Sequence, residues 1–429
     1  MTIPGACGNL YSWNRLDSQK FKRVRIEEDT RDALQSVRIV QPSTPKRKEL
    51  LELSAKVGVQ IVFLGFPAAS RQEMEQCAAL VDHIATRGIT IEPVLMARAL
   101  EADIRPLLDI QQRSSFAVSA DIYISISPLR LKVEGWTLDA MLKKIRSAAR
   151  FASANNLNFR IAFEDATRTA PAELAKSIKE AVDLGTKVIV LSDTVGDCLP
   201  SGASGMTAFV MELIDRAGVE VDVAWHGHND KGLSLANALA AIEAGASIVS
   251  GTFMGIGERT GNIPLEQLIL ILSEAGSEMY DVRYLAQMCE LFCASARIEM
   301  APNLPLVGRD AFSTATGTHA AAILKARQLG RDFEDLIYSA VSADKLGRRQ
   351  TLLIGPNSGR SAIRAVLDGL SIPATDVMVS ALLHHCKEHD RCLWSDEEIL
   401  ALLDISKGLC RPLVSRLKSQ VNAPSGGPS

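Results

Sequence analysis

Short apolar runs, many of them β-branched, alternate with segments of helical patterning through much of the chain, and this alternation limits the possible folds more than any other feature. Eight runs predict strands, at Val24–Glu28, Gln60–Leu64, Thr90–Leu95, Asp121–Ile126, Asn158–Phe163, Lys187–Leu191, Val221–Trp225 and Ser247–Gly251. Helical patterning fills the intervals, for example at Lys46–Lys56, Arg71–Arg87, Leu138–Ala154, Ala172–Leu184, Gly205–Ala217 and Leu233–Ala244. Eight such units over about 250 residues predict an α/β fold, a (β/α)8 TIM barrel.

Two other architectures stay open at this point. A doubly wound open sheet uses the same alternation, but no G-x-G-x-x-G motif follows the first strand. A barrel-like sheet with a different strand count is also compatible with the pattern.

The alternation ends near residue 300, where Ala301-Pro302-Asn303-Leu304-Pro305 interrupts it. The chain beyond this segment has helical patterning without a strand-like period, so we expect C-terminal helical subdomains. The predicted division is an N-terminal extension (1–22), a catalytic barrel (23–300), a linker with helical subdomain I (301–360), helical subdomain II (361–421) and a disordered tail (422–429).

Composition excludes several classes of partner. The chain has 47 basic and 50 acidic residues, for a formal net charge of −3, which offers no basic surface for nucleic acid. No apolar run reaches the ~18 residues of a membrane span, and the N-terminus lacks a signal-peptide core. The eight cysteines are scattered without a C-x-x-C pair, which favours reduced thiols and a cytoplasmic protein.

A His-x-His pair stands at the end of the seventh predicted strand. Because side chains two apart on a strand face the same way, His226 and His228 can direct two imidazoles at one point. Two imidazoles with a carboxylate suit a divalent metal such as zinc, manganese or magnesium, and Asp32 after the first strand is the natural third ligand. A hydrogen-bonded histidine pair without a metal is the alternative interpretation.

Polar residues come after the other predicted strands as well. Active sites of barrels lie at the C-terminal ends of the strands, so these residues should meet at one rim. They include Arg31, Arg98, Ser127, Glu164, Thr194, and the loop from Gly257 to Asn262. Arg31, beside Asp32, would supply a fixed positive charge for a developing oxyanion. Each of them is, taken singly, also explained as a solvated loop residue or a helix cap.

Several motifs, in order, resemble the isopropylmalate synthase/homocitrate synthase family of metal-dependent barrels, which is related to hydroxymethylglutaryl-CoA lyase. They are Arg31-Asp32, Gly65-Phe66-Pro67, Glu164-Asp165, Asp193-Thr194, His226-Gly227-His228-Asn229-Asp230, Gly255-Ile256-Gly257-Glu258-Arg259-x-Gly261-Asn262, Gly317-x-His319 and Gly355-x-x-Ser358-Gly359. The layout, with a helical extension and no long regulatory domain, is most similar to homocitrate synthase. A lyase of this kind would carry a cysteine in the loop after the eighth strand, and Gly255–Asn262 has none.

The resemblance implies a transferase that condenses acetyl-CoA with a 2-oxo acid and then hydrolyses the thioester. It implies that Asp32, His226 and His228 hold the metal. Arg31 would stabilise the enolate, and Thr194 would bind the substrate carboxylate. His319, oriented by Glu164, would be the general base, contributed across a homodimer with a swapped C-terminal region. A metal-dependent aldolase or lyase, which cleaves a carbon–carbon bond, is the alternative.

Four positions depart from the family pattern. Phe63 stands where the second strand normally carries a glutamate, and Phe333 replaces a tyrosine that lies after the base histidine. Ala33 replaces the glycine after Arg-Asp, and the Thr314-Ala315-Thr316 segment lacks the usual histidine. These changes indicate a specialised 2-oxo acid substrate, with Phe63, Arg98, Ser125, Ser127 and Thr194 as candidate specificity positions. A barrel that has lost turnover and only binds a partner is a further alternative, which the retained polar groups disfavour.

Overall fold

The computed structural model describes residues 18–388 and 393–403. The described chain divides into two compact units on either side of the Met300–Ala301 bond. The predicted disordered tail at 422–429, and most of the predicted N-terminal extension, lie outside the described residues. The further division near residue 360 stays a prediction.

The first unit contains a closed barrel of eight parallel strands, in which each strand pairs with its neighbours in chain order and β1 pairs with β8. The strands are β1 (Arg25–Glu28), β2 (Ile61–Gly65), β3 (Glu92–Arg98), β4 (Ser119–Ser125), β5 (Asn158–Glu164), β6 (Val188–Asp193), β7 (Asp222–Gly227) and β8 (Ile248–Gly251). The prediction of a (β/α)8 barrel is confirmed, and the open sheet is wrong because β1 and β8 close the ring.

One short helix precedes β1, and the other helices of this unit lie between successive strands and after the last one. They are α1 (Ser18–Phe21), α2 (Thr30–Ala33), α3 (Thr44–Val57), α4 (Arg71–Arg87), α5 (Glu101–Ser114), α6 (Pro128–Glu134), α7 (Leu138–Ala154), α8 (Pro171–Asp183), α9 (Pro200–Ala217), α10 (Ser234–Ala244), α11 (Leu265–Glu274) and α12 (Leu285–Ala296). Their apolar faces are buried, as at Met141, Leu142 and Ile145 of α7. Among the described residues, no helix is both long and apolar enough to cross a membrane.

The barrel interior is apolar towards the start of the strands and charged near its centre. Small and branched side chains form its buried cluster, including Ile61, Val94, Ala224 and Ile248. This is the usual filling of a parallel barrel. Phe63, Ala162 and Val190 belong to the same cluster and also face the cavity at the barrel mouth.

The second unit is mainly helical, as the sequence pattern predicts. Its helices are α13 (Gly317–Leu329), α14 (Arg331–Leu336), α15 (Arg360–Gly369), α16 (Asp376–Glu388) and α17 (Asp396–Leu403). Residues of the last three helices share one buried core that includes Ile363, Leu367, Val379, Leu382 and Ile399. A short parallel pair, β9 (Ser313–Thr314) with β10 (Thr351–Leu352), is absent from the sequence prediction, because two residues are too few to show a period.

Candidate metal centre and active site

The turn after β1 places Arg31 and Asp32 at the rim of the barrel. Asp29 caps the one-turn helix α2, since its Oδ1 accepts the backbone N–H of Asp32 at 2.9 Å. Its other carboxylate oxygen accepts a hydrogen bond from Arg31 Nη2 at 2.8 Å. One fully buried carboxylate therefore fixes both the backbone of Asp32 and the guanidinium of Arg31.

The end of β7 supplies the two histidines. His226 is the fifth residue of β7, and His228 lies just beyond the strand, bridged to Asn262 in the loop after β8. Asn262 donates from Nδ2 to Asp32 Oδ2 at 2.6 Å, so this loop also fixes the carboxylate. The loop needs glycine at Gly261, where φ is +93° and an added Cβ would lie 1.8 Å from Gly255 O.

Three candidate ligand atoms form a nearly equilateral triangle. His226 Nε2 and His228 Nε2 are 3.4 Å apart, and each lies 3.5 Å from Asp32 Oδ2. Ligands about 2.1 Å from one tetrahedral ion are separated by about 3.4 Å, so these spacings fit a single metal ion. His226 Nδ1 lies 3.2 Å from Ser250 Oγ, a contact of the kind that orients a metal-binding imidazole.

The electrostatics of the triangle also suit a cation. Burial, with the facing His228, lowers the pKa of His226 to about 3, and burial lowers the pKa of His228. Burial opposes ionisation of Asp32, but Arg31, with the hydrogen bond from Asn262, outweighs it and holds the pKa of Asp32 below its usual range. Two neutral imidazoles and one carboxylate therefore converge in a buried site, which is the protonation state that metal binding needs.

A cavity of about 260 Å³ lies above this triangle at the barrel mouth. Its walls come from β1 to β7, from the loops that follow them and from the loop after β8: Glu27, Asp29, Arg31, Asp32, Gln35, Phe63, Met96, Asp121, Tyr123, Arg160, Ala162, Glu164, Val190, Ser192, Thr194, His226, His228 and Glu258. The volume is close to the lower end for small-molecule sites, which suits a small acid.

The structure brings most of the predicted site residues to this cavity, but not all of them. Arg98 is exposed, and its guanidinium donates to Asp103 Oδ2 at 2.6 Å instead of facing the cavity. Ser127 is fully buried before α6 and does not line the cavity. Thr194 lines it while its Oγ1 accepts the N–H of Asp165 at 2.8 Å. Glu164 lines it half-buried, and burial raises the pKa of its carboxyl.

His319 and Phe333 belong to the second unit. His319 is exposed on α13, and its ring stacks on Tyr338 with centroids 4.0 Å apart. Phe333 lies on α14 with 36% of its surface exposed.

Sequence reasoning missed a charged cluster at the cavity floor. Arg160 of β5 donates from Nε to Asp121 of β4 and from Nη1 to Glu27 of β1, and all three side chains are buried. The ring of Phe63 lies against two guanidiniums, with Arg31 Cζ 4.8 Å and Arg160 Cζ 5.3 Å from its centroid. Such distances permit cation–π attraction. The available signal was a charged residue inside a predicted strand, at Asp121 of β4 and Arg160 of β5, together with the charged residues of β1, where Glu27 lies.

Comparison with known proteins agrees with this fold. The HMGL-like family model matches residues 24–295. A probable 2-isopropylmalate synthase of Methanopyrus kandleri is 31% identical over 85% of this chain and 70% of its own length. A homocitrate synthase AksA of the same organism is 30% identical over 80% of this chain and 82% of its own length. The crystal structure of Bacillus subtilis HMG-CoA lyase superposes with a TM-score of 0.55 at 17% identity, over 66% of this chain and 97% of that chain.

The closed barrel and the two-histidine, one-carboxylate cluster at its mouth define the class of the protein, a (β/α)8 barrel with a candidate metal site. The chain belongs to the HMGL-like family, within the isopropylmalate synthase/homocitrate synthase group. The resemblance found in the sequence motifs is thereby confirmed. The lyase structure, at 17% identity, supports the fold alone.

Proposed function

We propose that the chain is an acyltransferase that condenses acetyl-CoA with a 2-oxo acid and releases a 2-hydroxy di- or tricarboxylic acid. The observation that carries the proposal is the buried triangle of Asp32, His226 and His228 beside Arg31, in a cavity of small-molecule size. Relatives named homocitrate synthase and 2-isopropylmalate synthase match most of the chain, which supports the same reaction class.

The metal belongs to the proposal, with Asp32, His226 and His228 as its ligands. Asp32 Oδ1 is buried and has no hydrogen-bond partner among the described residues, which fits a carboxylate that has a further ligand to take. A divalent cation held there would polarise the keto group of a chelating 2-oxo acid.

Arg31 is proposed to stabilise the negative charge that develops during condensation. Its Nε is buried without a hydrogen-bond partner in the described part of the chain, while Nη2 is held by Asp29 at 2.8 Å. A fixed guanidinium with one such buried donor can stabilise an enolate or alkoxide oxygen without reorganising. Asp29 therefore acts as a positioning residue.

The remaining roles rest on the family resemblance. Thr194 is proposed to bind the substrate carboxylate, and the half-buried Glu164 to orient the base. His319 is proposed to remove a proton from the acetyl methyl group of acetyl-CoA. The enolate carbon would then bond to the keto carbon of the 2-oxo acid, and the keto oxygen would become an alkoxide that takes up a proton. Water would finally hydrolyse the thioester and free CoA. A homodimer in which His319 serves the partner's site is part of the proposal, and its exposure on α13 is compatible with it.

The experiment is CoA thiol release from acetyl-CoA with a panel of 2-oxo acids and added zinc, manganese or magnesium. His226→Ala is the loss-of-site variant. His83→Ala, whose histidine pairs with Glu52 outside the barrel, is the matched control. Release that needs both a 2-oxo acid and a metal, and is lost only in His226→Ala, supports the proposal. If no acid releases CoA although metal binds, the proposed function is wrong and an aldolase or lyase takes its place.

A further inference from the structure

On the side away from the metal cluster, five apolar or aromatic side chains form an apolar arc, beside the polar Asp121, Arg160, Glu164 and Ser192 of the same strands. Phe63, Met96, Tyr123, Ala162 and Val190 come from the consecutive strands β2 to β6. Tyr123 and Val190 are both register neighbours of Ala162, so this part of the arc is continuous. Because the candidate ligands lie on β7 and after β1, on the other side of the closed ring, a 2-oxo acid held there would extend its substituent towards the arc.

Among the residues that the structure describes, no uncommitted cation lines the cavity beside that arc. The lining includes six carboxyl groups and two guanidiniums, namely Glu27, Asp29, Asp32, Asp121, Glu164 and Glu258 against Arg31 and Arg160. Arg160 is held by Glu27 and Asp121, and Arg31 by Asp29. Arg98, at the end of β3, is bonded to Asp103.

A negatively charged substituent would therefore lose its hydration in this pocket and find no partner, whereas an apolar one would gain buried contact. Phe63 contributes to this selection, because its apolar ring lies in the cavity wall against both guanidiniums, with Arg31 Cζ 4.8 Å and Arg160 Cζ 5.3 Å from its centroid. We infer that the substrate is a 2-oxo acid with an uncharged, apolar substituent, and that Phe63, Met96, Tyr123, Ala162 and Val190 determine this specificity. The inference rests on the proposed function.

The experiment compares acids that differ in distal charge at similar length. 2-Oxoglutarate and oxaloacetate are compared with 2-oxohexanoate, 2-oxoisovalerate, 4-methyl-2-oxopentanoate and phenylpyruvate. The best uncharged acid should exceed both dicarboxylates by at least about 30-fold in kcat/KM, the lower end of the effect of a buried charge without a partner. The same order should appear in calorimetric binding of the acids to the zinc-loaded protein, a readout that does not need turnover.

Introducing a cation into the arc should shift the preference of the pocket from the uncharged acids towards the dicarboxylates. Met96→Arg should raise relative binding of 2-oxoglutarate over 2-oxohexanoate at least tenfold. Tyr123→Arg, at a half-buried position with room at the mouth, provides the same test if Met96→Arg does not fold. Val133→Arg, 80% exposed on α6, is the matched control and should leave the order unchanged.

The outcomes separate the two proposals. If a dicarboxylate is preferred in both turnover and binding, the inference is wrong while the acyltransferase function stands. If no acid releases CoA but the uncharged acids bind more tightly, the acyltransferase function is wrong and the pocket assignment stands. If the wild type, Met96→Arg and Tyr123→Arg all show the same order of preference among the 2-oxo acids, the arc does not determine specificity.

Discussion

Arg160→Met is expected to destabilise the barrel severely, because it removes the cation that pairs with two buried carboxylates. Arg160, Glu27 and Asp121 have side chains only 2–6% exposed, and the guanidinium bonds both acids. Methionine has a similar length and keeps the packing under Phe63, so the change removes mainly the charge. Removal of one partner from a buried ion cluster typically costs about 3–5 kcal/mol of unfolding free energy.

The loss of unfolding free energy should depend on pH, and the charges of the two carboxylates determine whether it grows or shrinks as pH rises. Burial opposes ionisation of Glu27, yet Arg160 overcomes it and keeps the pKa of Glu27 below its usual value, while burial raises the pKa of Asp121. Without Arg160, both folded-state pKa values should lie above their unfolded values. The variant should then lose stability as pH rises through those values, so its deficit relative to wild type should be larger at pH 8 than at pH 5.

Urea unfolding at pH 5 and pH 8, followed by circular dichroism, measures this difference. Arg146→Met is the matched control, because Arg146 pairs with Glu180 at 2.6 Å near the surface, and little change is expected. The triple variant Arg160→Met/Glu27→Gln/Asp121→Asn should recover much of the loss, since no buried charge remains in this cluster. A loss below about 1 kcal/mol, or a deficit that shrinks with rising pH, would refute this reasoning.

Three further predictions concern the site. Asp32→Asn should abolish stoichiometric zinc binding, measured by elemental analysis after gel filtration, whereas Asp109→Asn on α5 should retain it; zinc retained by Asp32→Asn would contradict the ligand assignment. Gly261→Ala should lower metal affinity at least tenfold, because its Cβ would lie 1.8 Å from Gly255 O. The control Gly88→Ala has no atom within 4 Å of the added Cβ and should keep the wild-type metal affinity. Equal metal affinities in the two variants would exclude a role for the loop. Mixing inactive Asp32→Asn and His319→Ala subunits should restore up to about a quarter of wild-type activity if each site uses both subunits, and absence of recovery after refolding the mixture would argue for sites within one chain.

The fold can be predicted from the sequence because most of the parallel strands are buried on both faces and appear as short apolar runs, although β1 is largely charged. The run Asn158–Phe163 falls within one residue of the observed β5, which ends at Glu164. The sequence pattern places the start of β4 two residues late, because Ser119 and Ala120 lack the β-branched signal. The candidate ligands follow from the His-x-His spacing and from the rule that active sites lie at the C-terminal ends of barrel strands.

The interior charges could not be predicted in the same way. Arg160 interrupts an apolar run, and only the closed ring brings it to Glu27, which is 133 residues away in the sequence. Arg98 is a candidate because it ends a strand, but strand position does not fix side-chain direction, and Asp103 on the next helix binds it. Both ion pairs, one between distant strands and one between a strand end and a helix carboxylate, depend on the three-dimensional positions of the side chains. The periodicity of the sequence does not specify these positions.

The most direct test of the central proposal is to follow the carbon atoms. Acetyl-CoA labelled with ¹³C at the methyl carbon, a 2-oxo acid that supports CoA release, and the metal-loaded protein are incubated together, and the product is analysed by mass spectrometry and NMR. The expected product is a 2-hydroxy diacid in which the labelled carbon is bonded to the former keto carbon, and Asp32→Asn should give no such product. Labelled free acetate beside unchanged 2-oxo acid would contradict it, since that result means thioester hydrolysis without carbon–carbon bond formation.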